Sequence, residues 1–524
     1  MRVLITDSVS EKGIDVLKQA GMEVDIKVGL AEDEIVEIIG SYEALVVRSQ
    51  TKVTRKILEK ADAMKIIGRA GVGVDNIDVD AATEKGIIVV NAPEGNTIAA
   101  TEHTIALMLA LARNVPQAHY ALTQGVWDRK KYMGVELRDK VLGVLGLGKI
   151  GSGVVKRALA MDMKVLAYDP YVSPERAQKL GVEITGLDEI YEQADFISVH
   201  LPMTEDTRYI IGAEAISKMK PGVRIINVAR GGVVDEKALY DALVSGKVAG
   251  AAIDVWETEP DTENPLQKLN NVVVTPHLGA STKEAQVNVA IDVAEEIVHF
   301  ARGEIVRNAV NAPSLNPEIL ERLNPYLVLS EKLGSMVSQT TAGNVEQVNI
   351  QYNGDISNYD VGILTSSFLR GLLRPFLNSA INFVNAPYIA RSRGIKIKES
   401  KSVEMEHYTN LIAVTVKTGV DQRSLSGTVF NQEPRIVSID GYSIDAVPEG
   451  HMLVVPHIDK PRIIGPVATT LGDDKINIGG MQVGRKSMGG EAVMFLMVDG
   501  RVPEETLKKI SQMDGLLDVK YVFL

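Results

Sequence analysis

The stretch "KVLGVLGLGKIGSGVV", residues 140–155, decides the fold. An apolar strand-like run, "VLGVL", ends in Gly146, Gly148 and Gly151, and a helical pattern, "SGVVKRALAM", starts at once. In such a strand–turn–helix unit the first glycine permits a tight turn, the second lets backbone approach a pyrophosphate, and the third lets helix pack on strand. The unpaired N–H groups of the helix N-terminus then face the anion. Six residues alone are a weak signal, so the flanks matter. A second strand, "KVLAYD", ends in Asp169, eighteen positions beyond Gly151. An acid there accepts from the adenosine ribose and repels a 2′-phosphate, which selects NAD over NADP. Pro170 and Tyr171 follow it, so no arginine stands ready for that phosphate.

Upstream, from residue 1, short apolar runs alternate with amphipathic stretches: "RVLITD", "EKGIDVLKQAG", "EVDIKV", "AEDEIVEIIG", "ALVVRS". This alternation predicts parallel strands joined by right-handed helical crossovers, an α/β domain of its own. One long helix is expected over 100–122. Downstream of the glycines come strands in "ADFISVHLP", "VRIINVAR", "VAGAAIDVW" and "NVVVTPHLG". A second long helix is expected over 282–303, closing on Gly303 as a C-cap. From 318 to 450 the character changes: "SEKLGSMVSQTTAG" reads as helix, "VEQVNIQYNGD" as strand, and "KIKESKSVEMEHYTNLIAVTVKT" as charged and alternating, with no chemistry assignable. The final 74 residues read strand, helix, strand, strand, helix, strand, the ferredoxin-like order.

Composition narrows the classes. A chain of 524 residues exceeds one ordinary core, and 45% hydrophobic with 24% charged residues is usual for a globular protein. A net charge of -12 argues against nucleic acid as a partner. The absence of cysteine excludes disulfides, thiolate metal sites and a cysteine nucleophile, and fits a reducing cytoplasm; no metal is expected. With no signal-peptide pattern and no run of apolar residues long enough to span a bilayer, no membrane partner is expected and the location is read as cytoplasmic.

If NAD is bound, the second reactant is an alcohol or carbonyl, and a proton must move as hydride moves. Open α/β sheets bind ligands at the carboxyl ends of their strands. Three residues at such ends suit this chemistry, namely Arg230 in "NVARGGVVDE", Glu259 in "DVWETEP" and His277 in "TPHLGAS". Histidine exchanges a proton near neutrality, so His277 is the acid/base. A carboxylate beside it orients the ring and stabilises its protonated form, the part given to Glu259. A guanidinium grips a carboxylate in bidentate fashion, the part given to Arg230. His200 in "SVHLP" lines the nucleotide cleft on this reading, whereas His103 on its helix reads as structural.

The segments "VLGLGKIG", "VHLPMTEDT", "NVARGGVVDE", "AAIDVWETEP" and "TPHLGASTKEAQ" resemble the D-isomer-specific 2-hydroxyacid dehydrogenases. Within that family "VVRSQTKVT", "GRAGVGVDNID", "NAPEGNTIAATEH" and "WDRKKYMGVEL" resemble the long-form members that act on 3-phosphoglycerate at the head of phosphorylated serine synthesis. The likeness runs over nearly the whole chain and is most specific through about residue 313. It implies a Rossmann-type doubly wound domain, 99–293, inserted in a flavodoxin-like substrate domain, 1–98 and 294–317, with hinge crossings near 99 and 293. An α+β intervening domain, 318–450, and a ferredoxin-like ACT regulatory domain, 451–524, would follow.

Residue by residue, the resemblance makes Arg230, Glu259 and His277 the catalytic trio. It places Arg48, Ser49, Val72, Gly73 and Asn96 on the substrate side. Gly146, Gly148, Lys149, Ile150, Gly151, Asp169, Leu201, Thr207, Val228, Ala229, Asp254, Gly279 and Ala280 would line NAD, beside Arg230 and His277. ACT domains commonly pair and hold amino acids at their interface. A homo-oligomer, dimer or homotetramer, is therefore expected, with L-serine as an allosteric effector at Asp459 and Asn477. Asp459 stands where some relatives carry asparagine, and Arg462 where glycine often follows the proline, so the ligand site departs from the pattern; a purely dimerising module is the alternative. The cations Arg129, Lys130 and Lys131 would attract a phosphorylated substrate or form a solvated loop, and "RSRGIKIKESK", 391–401, an anion site or a solvated strand pair. Other readings are a hydroxypyruvate or glyoxylate reductase, or an NAD-sensing corepressor.

Overall fold

The computed structural model describes residues 1–304, 306–313, 317–377, 381–404 and 408–524. Residues 314–316, inside the expected substrate domain, and 405–407, inside the charged alternating run, lie outside that set.

The first sheet holds five parallel strands: β1 Arg2–Ile5, β2 Glu23–Ile26, β3 Ala44–Val47, β4 Ile66–Arg69 and β5 Ile88–Asn91, in the order β2-β1-β3-β4-β5. This is the flavodoxin-like order. Both faces are covered, so the inner strands are apolar throughout rather than alternating. Leu4, Leu45, Ile67 and Val89 face one core with Ile35 and Ile57. Val3, Ile5, Val46 and Ile66 face the other, which the helix Lys283–Ala301 completes with Val289, Val293 and Ile297. The chain thus leaves the first sheet, builds a second, and returns. Asn311 seals the return by accepting from the Val89 amide (2.9 Å) and donating to the Ile87 carbonyl (2.9 Å).

The second sheet is wholly parallel: β6 Val141–Leu145, β7 Lys164–Tyr168, β8 Glu183–Ile184, β9 Phe196–Val199, β10 Val223–Asn227, β11 Val248–Ile253 and β12 Val272–Val274. Its order, β12-β11-β10-β9-β6-β7-β8, reverses direction between β6 and β9, which opens a crevice at their carboxyl ends.

The helix expected over 100–122 is two helices, Thr97–Arg113 and Val115–Thr123. Asn114 breaks it in the left-handed region (φ 53°), which asparagine tolerates. Pro116 offers no N–H to the Ala112 carbonyl, which instead accepts from Val135 (2.9 Å).

The third sheet is mixed: β13 Val345–Gly354, β14 Lys396–Ser402, β15 Asn410–Thr418, β16 Gln422–Phe430, β17 Glu433–Ile439 and β18 Tyr442–Ala446, in the order β14-β13-β15-β16-β17-β18. Only β13 and β14 run parallel within it. Helices Pro317–Thr340 and Gly362–Leu373 supply its core with Leu333, Met336, Leu364 and Phe368.

The last sheet comprises β19 His451–Ile458, β20 Ile478–Arg485, β21 Glu491–Val498 and β22 Lys520–Phe523, antiparallel in the ferredoxin-like order β20-β21-β19-β22. Among the described residues no helix is long and apolar enough to cross a membrane.

Candidate active site

The glycine turn sits at the crevice where the second sheet reverses. Gly146 has φ 98°, and a Cβ on it would meet the His200 carbonyl oxygen at 2.6 Å. A Cβ on Gly151 would lie 2.0 Å from the Gly146 carbonyl oxygen, so the helix Lys149–Ala160 rests directly on the turn. Gly148 differs: nothing lies within 4 Å of its Cβ position. Its backbone faces open space beside the helix N-terminus, the cradle a dinucleotide's pyrophosphate fits. Asp169, just past β7, accepts from the Leu147 amide at 2.8 Å and from the Tyr171 amide at 2.9 Å. Its carboxylate is thereby pinned beside the turn.

His277 and Glu259 form a pair. A carboxylate only accepts, so the 2.7 Å contact is His277 Nδ1–H donating to Glu259 Oε2, and Nε2 is left as the ring's acceptor. Glu259 Oε1 accepts from the Trp256 amide at 3.0 Å. Burial alone would raise the Glu259 carboxyl; the bonds from His277 and Trp256 outweigh it and hold the group below its ordinary range. Glu259 is therefore ionised at neutral pH.

Arg230 leaves the end of β10 on a loop shaped by Asn227, whose amide donates to the Arg230 carbonyl (2.9 Å) and whose oxygen accepts from Ala229 (3.0 Å). The guanidinium packs over Gly73, where a Cβ would lie 2.2 Å from Nη2, and its Nε is 3.3 Å from Asp75. The two sheets thus meet at Arg230.

Arg230 and His277 open on one cavity of about 390 Å³ between the two parallel sheets. Val72, Gly73 and Asn96 line it from the first sheet. Ile150, His200, Leu201, Val228, Ala229, Gly279 and Ala280 line it from the second. His200 donates to or accepts from Ser198 (2.8 Å), and burial of its ring pushes its pKa down to about 4, which keeps it neutral. Lys149 crosses the gap to Glu94 in the loop after β5. Thr207 faces its own turn, donating to the Pro202 carbonyl (2.6 Å), and is not in the cavity wall. Asp254 is fully buried beneath the wall and binds the 278–279 backbone. Arg48 donates to the Ser8 carbonyl (3.1 Å) beside the exposed Ser49. Arg129, Lys130 and Lys131 lie in an exposed turn outside the cavity.

One residue here has no counterpart in the sequence analysis. Arg69, at the carboxyl end of β4, has a buried Nε with no partner. Burial, then the charges of Arg230 and Arg48, push its pKa down to about 10. Asn96 Oδ1 is likewise buried and unpartnered. Unsatisfied buried polar groups are rare in native proteins; here Asn96 lines the cavity itself, and Arg69 lies close enough to Arg230 and Arg48 for their charges to act on it. The strand-end position of Arg69 was the available signal.

In the last sheet, Asp459 faces Arg485 (3.5 Å), while the Asn477 amide donates to Asp499 (2.7 Å). No bond between Asp459 and Asn477 occurs among the described residues. Arg462 takes φ 67°, so the backbone keeps a glycine-like conformation despite the side chain.

Residues 105–279 match the family model of the D-isomer specific 2-hydroxyacid dehydrogenase NAD binding domain, and 322–440 that of the D-3-phosphoglycerate dehydrogenase intervening domain. The crystal structure of D-lactate dehydrogenase from Aquifex aeolicus, complexed with NAD and lactic acid, is similar with a TM-score of 0.53 and 32% identity, over 60% of this chain and 100% of that one. Fold and comparisons together define the class of NAD-dependent D-2-hydroxyacid dehydrogenases. D-3-phosphoglycerate dehydrogenases of Archaeoglobus fulgidus (48% identical over 527 residues) and Methanocaldococcus jannaschii (49% over 525) align with 100% of this chain and of their own length. The chain belongs to the D-3-phosphoglycerate dehydrogenase family.

Proposed function

We propose that the chain oxidises 3-phospho-D-glycerate to 3-phosphohydroxypyruvate with NAD, and that His277, Glu259 and Arg230 carry the reaction. One observation supports this above the others: a single cavity is lined by the carboxylate-held His277, by Arg230 and by Ile150 of the glycine turn. NAD, when bound on Gly146–Gly151 and Asp169, supplies the hydride acceptor. Arg230 holds the substrate carboxylate and polarises the C2 oxygen. His277 Nε2 takes the C2 hydroxyl proton, and Glu259 stabilises the resulting imidazolium through Nδ1–H. Arg48 and Arg69, grouped with Arg230, favour a substrate carrying a second anion, the phosphate. Closure of the cleft would exclude water from these groups.

On this reading the last sheet is the regulatory ACT module and L-serine its effector, at Asp459 and Asn477, in a cytoplasmic homo-oligomer. An effector at Asn477 would have to displace its bond to Asp499. The test is NADH formation from NAD with 3-phospho-D-glycerate, D-lactate, D-glycerate and, in reverse, glyoxylate, each with and without serine. The proposal requires the highest kcat/KM for the phosphorylated acid. Equal or better turnover of the unphosphorylated acids would overturn it in favour of a general hydroxyacid reductase, and no turnover in favour of a sensor.

A further inference from the structure

We infer that His103 is a positioning residue: from the helix Thr97–Arg113 it donates to Thr275 and Asp254, and thereby fixes the 277–279 turn that aims His277 at the cleft. This rests on the role proposed above for His277.

The bond directions follow from the donors available. Thr275 Oγ1 spends its hydrogen on Asp254 Oδ1 at 2.5 Å. Its oxygen, 3.2 Å from His103 Nε2, must then accept. Asp254 Oδ1 also lies 3.3 Å from that nitrogen. Nε2 therefore carries a proton and is shared between the two. Asp254 in turn holds three consecutive backbone amides. Its carbonyl accepts from His277 (2.9 Å), Oδ1 from Leu278 (2.7 Å) and Oδ2 from Gly279 (2.9 Å).

Those bonds have strain to hold. His277 has φ 57°, a left-handed conformation that costs a non-glycine residue on the order of 1–2 kcal/mol. Asp254 is buried, and a buried carboxylate short of donors weakens as an anchor. Burial acts to raise its pKa, and the bonds from His103, Thr275 and Leu278 outweigh that and keep it ionised. The side-chain grip on Arg230 is a different one: its loop is held by the Asn227 side chain, which Asp254 meets only through its own amide on the Asn227 carbonyl (3.0 Å). Loosening the 277–279 turn should therefore disturb proton transfer more than binding of the hydroxyacid.

The experiment compares His103→Leu, which removes the donor, with His103→Gln, which keeps an N–H at a similar reach. His103→Leu is expected to lower kcat ~10- to 100-fold, the effect of roughly an ångström of misplacement, with KM for 3-phosphoglycerate within ~threefold. His103→Gln should recover kcat to within ~threefold of the parent. An unchanged kcat in His103→Leu, an effect on KM alone, or equal losses in the two variants would each overturn the inference. Should His103→Leu not fold, Thr275→Val is read by the same criterion, and a parental kcat there overturns it too. His277→Ala is measured alongside. If that variant keeps the parental rate, the acid/base assignment falls and this inference with it; if it is inactive while His103→Leu is normal, only the positioning role falls.

Discussion

Replacing Gly151 by alanine tests the dinucleotide cradle. The added Cβ would stand 2.0 Å from the Gly146 carbonyl oxygen, and real Cβ atoms essentially never come within 3.0 Å, so the helix Lys149–Ala160 must withdraw by about 1 Å. An N–H to phosphate bond lengthened that far is lost. Bonds to charged acceptors are worth ~1.5–3 kcal/mol, so losing one raises the Kd for NAD roughly 10- to 150-fold. The overpacking itself costs ~1–3 kcal/mol and lowers Tm. Gly148→Ala separates the two effects. Its backbone (φ −62°) suits alanine and nothing lies within 4 Å of the new Cβ, so Tm should hold while NAD binding falls. Titration of both variants with NADH by fluorescence, beside thermal melts, reads each effect. Parental NAD affinity in Gly148→Ala would refute a pyrophosphate at this turn, and an unchanged Tm in Gly151→Ala would refute the helix contact.

Asp169→Ala removes the charge that opposes a 2′-phosphate, so the preference for NAD over NADP in kcat/KM should fall by ~10-fold or more, read from paired kinetics. Arg69→Met should raise KM for 3-phosphoglycerate by ~10-fold or more, and inorganic phosphate should raise the Tm of the parent but not of this variant. Without anions the same variant should melt no lower than the parent, because a buried guanidinium beside Arg230 and Arg48 is removed. Glu84 accepts from Arg55 (2.6 and 3.1 Å) and from Tyr388 of the helix beside the third sheet, and these bonds, Arg55 first, lower its carboxyl to about 2. Because the folded pKa is depressed below the ordinary 4.5, the stabilisation is complete above that pH and drains away as pH falls through the folded value. Partial exposure limits it to ~1 kcal/mol, so Glu84→Gln should lower Tm by roughly 2–4 °C at neutral pH, with the gap narrowing below about pH 4.5.

Much of this architecture was legible because its signals are local. Gly146, Gly148 and Gly151 with Asp169 specify a strand–turn–helix–strand unit by spacing alone, and Arg230, Glu259 and His277 follow from the rule that strand ends carry function. What escaped depends on partners far along the chain. His103 read as structural because its partners, Thr275 and Asp254, lie 172 and 151 positions away and become visible only when the helix packs on β11 and β12. Arg69 closes an apolar strand, and only the approach of Arg48 and Arg230 reveals a cluster of cations. The break at Asn114 was hidden by an apolar periodicity that continues through it, although Pro116 marks it. Residues 318–450 showed strands and helices but no chemistry, since a mixed sheet packed on two helices needs none of its own.

The central claim is best tested by a crystal structure of the closed, unreactive complex with NAD and 3-phosphohydroxypyruvate. The substrate carboxylate should lie on Arg230, with its C2 oxygen within hydrogen-bonding reach of His277 Nε2 and the nicotinamide ring against C2 on the other side. A C2 oxygen turned away from His277, or a nicotinamide ring outside the cavity, would contradict it.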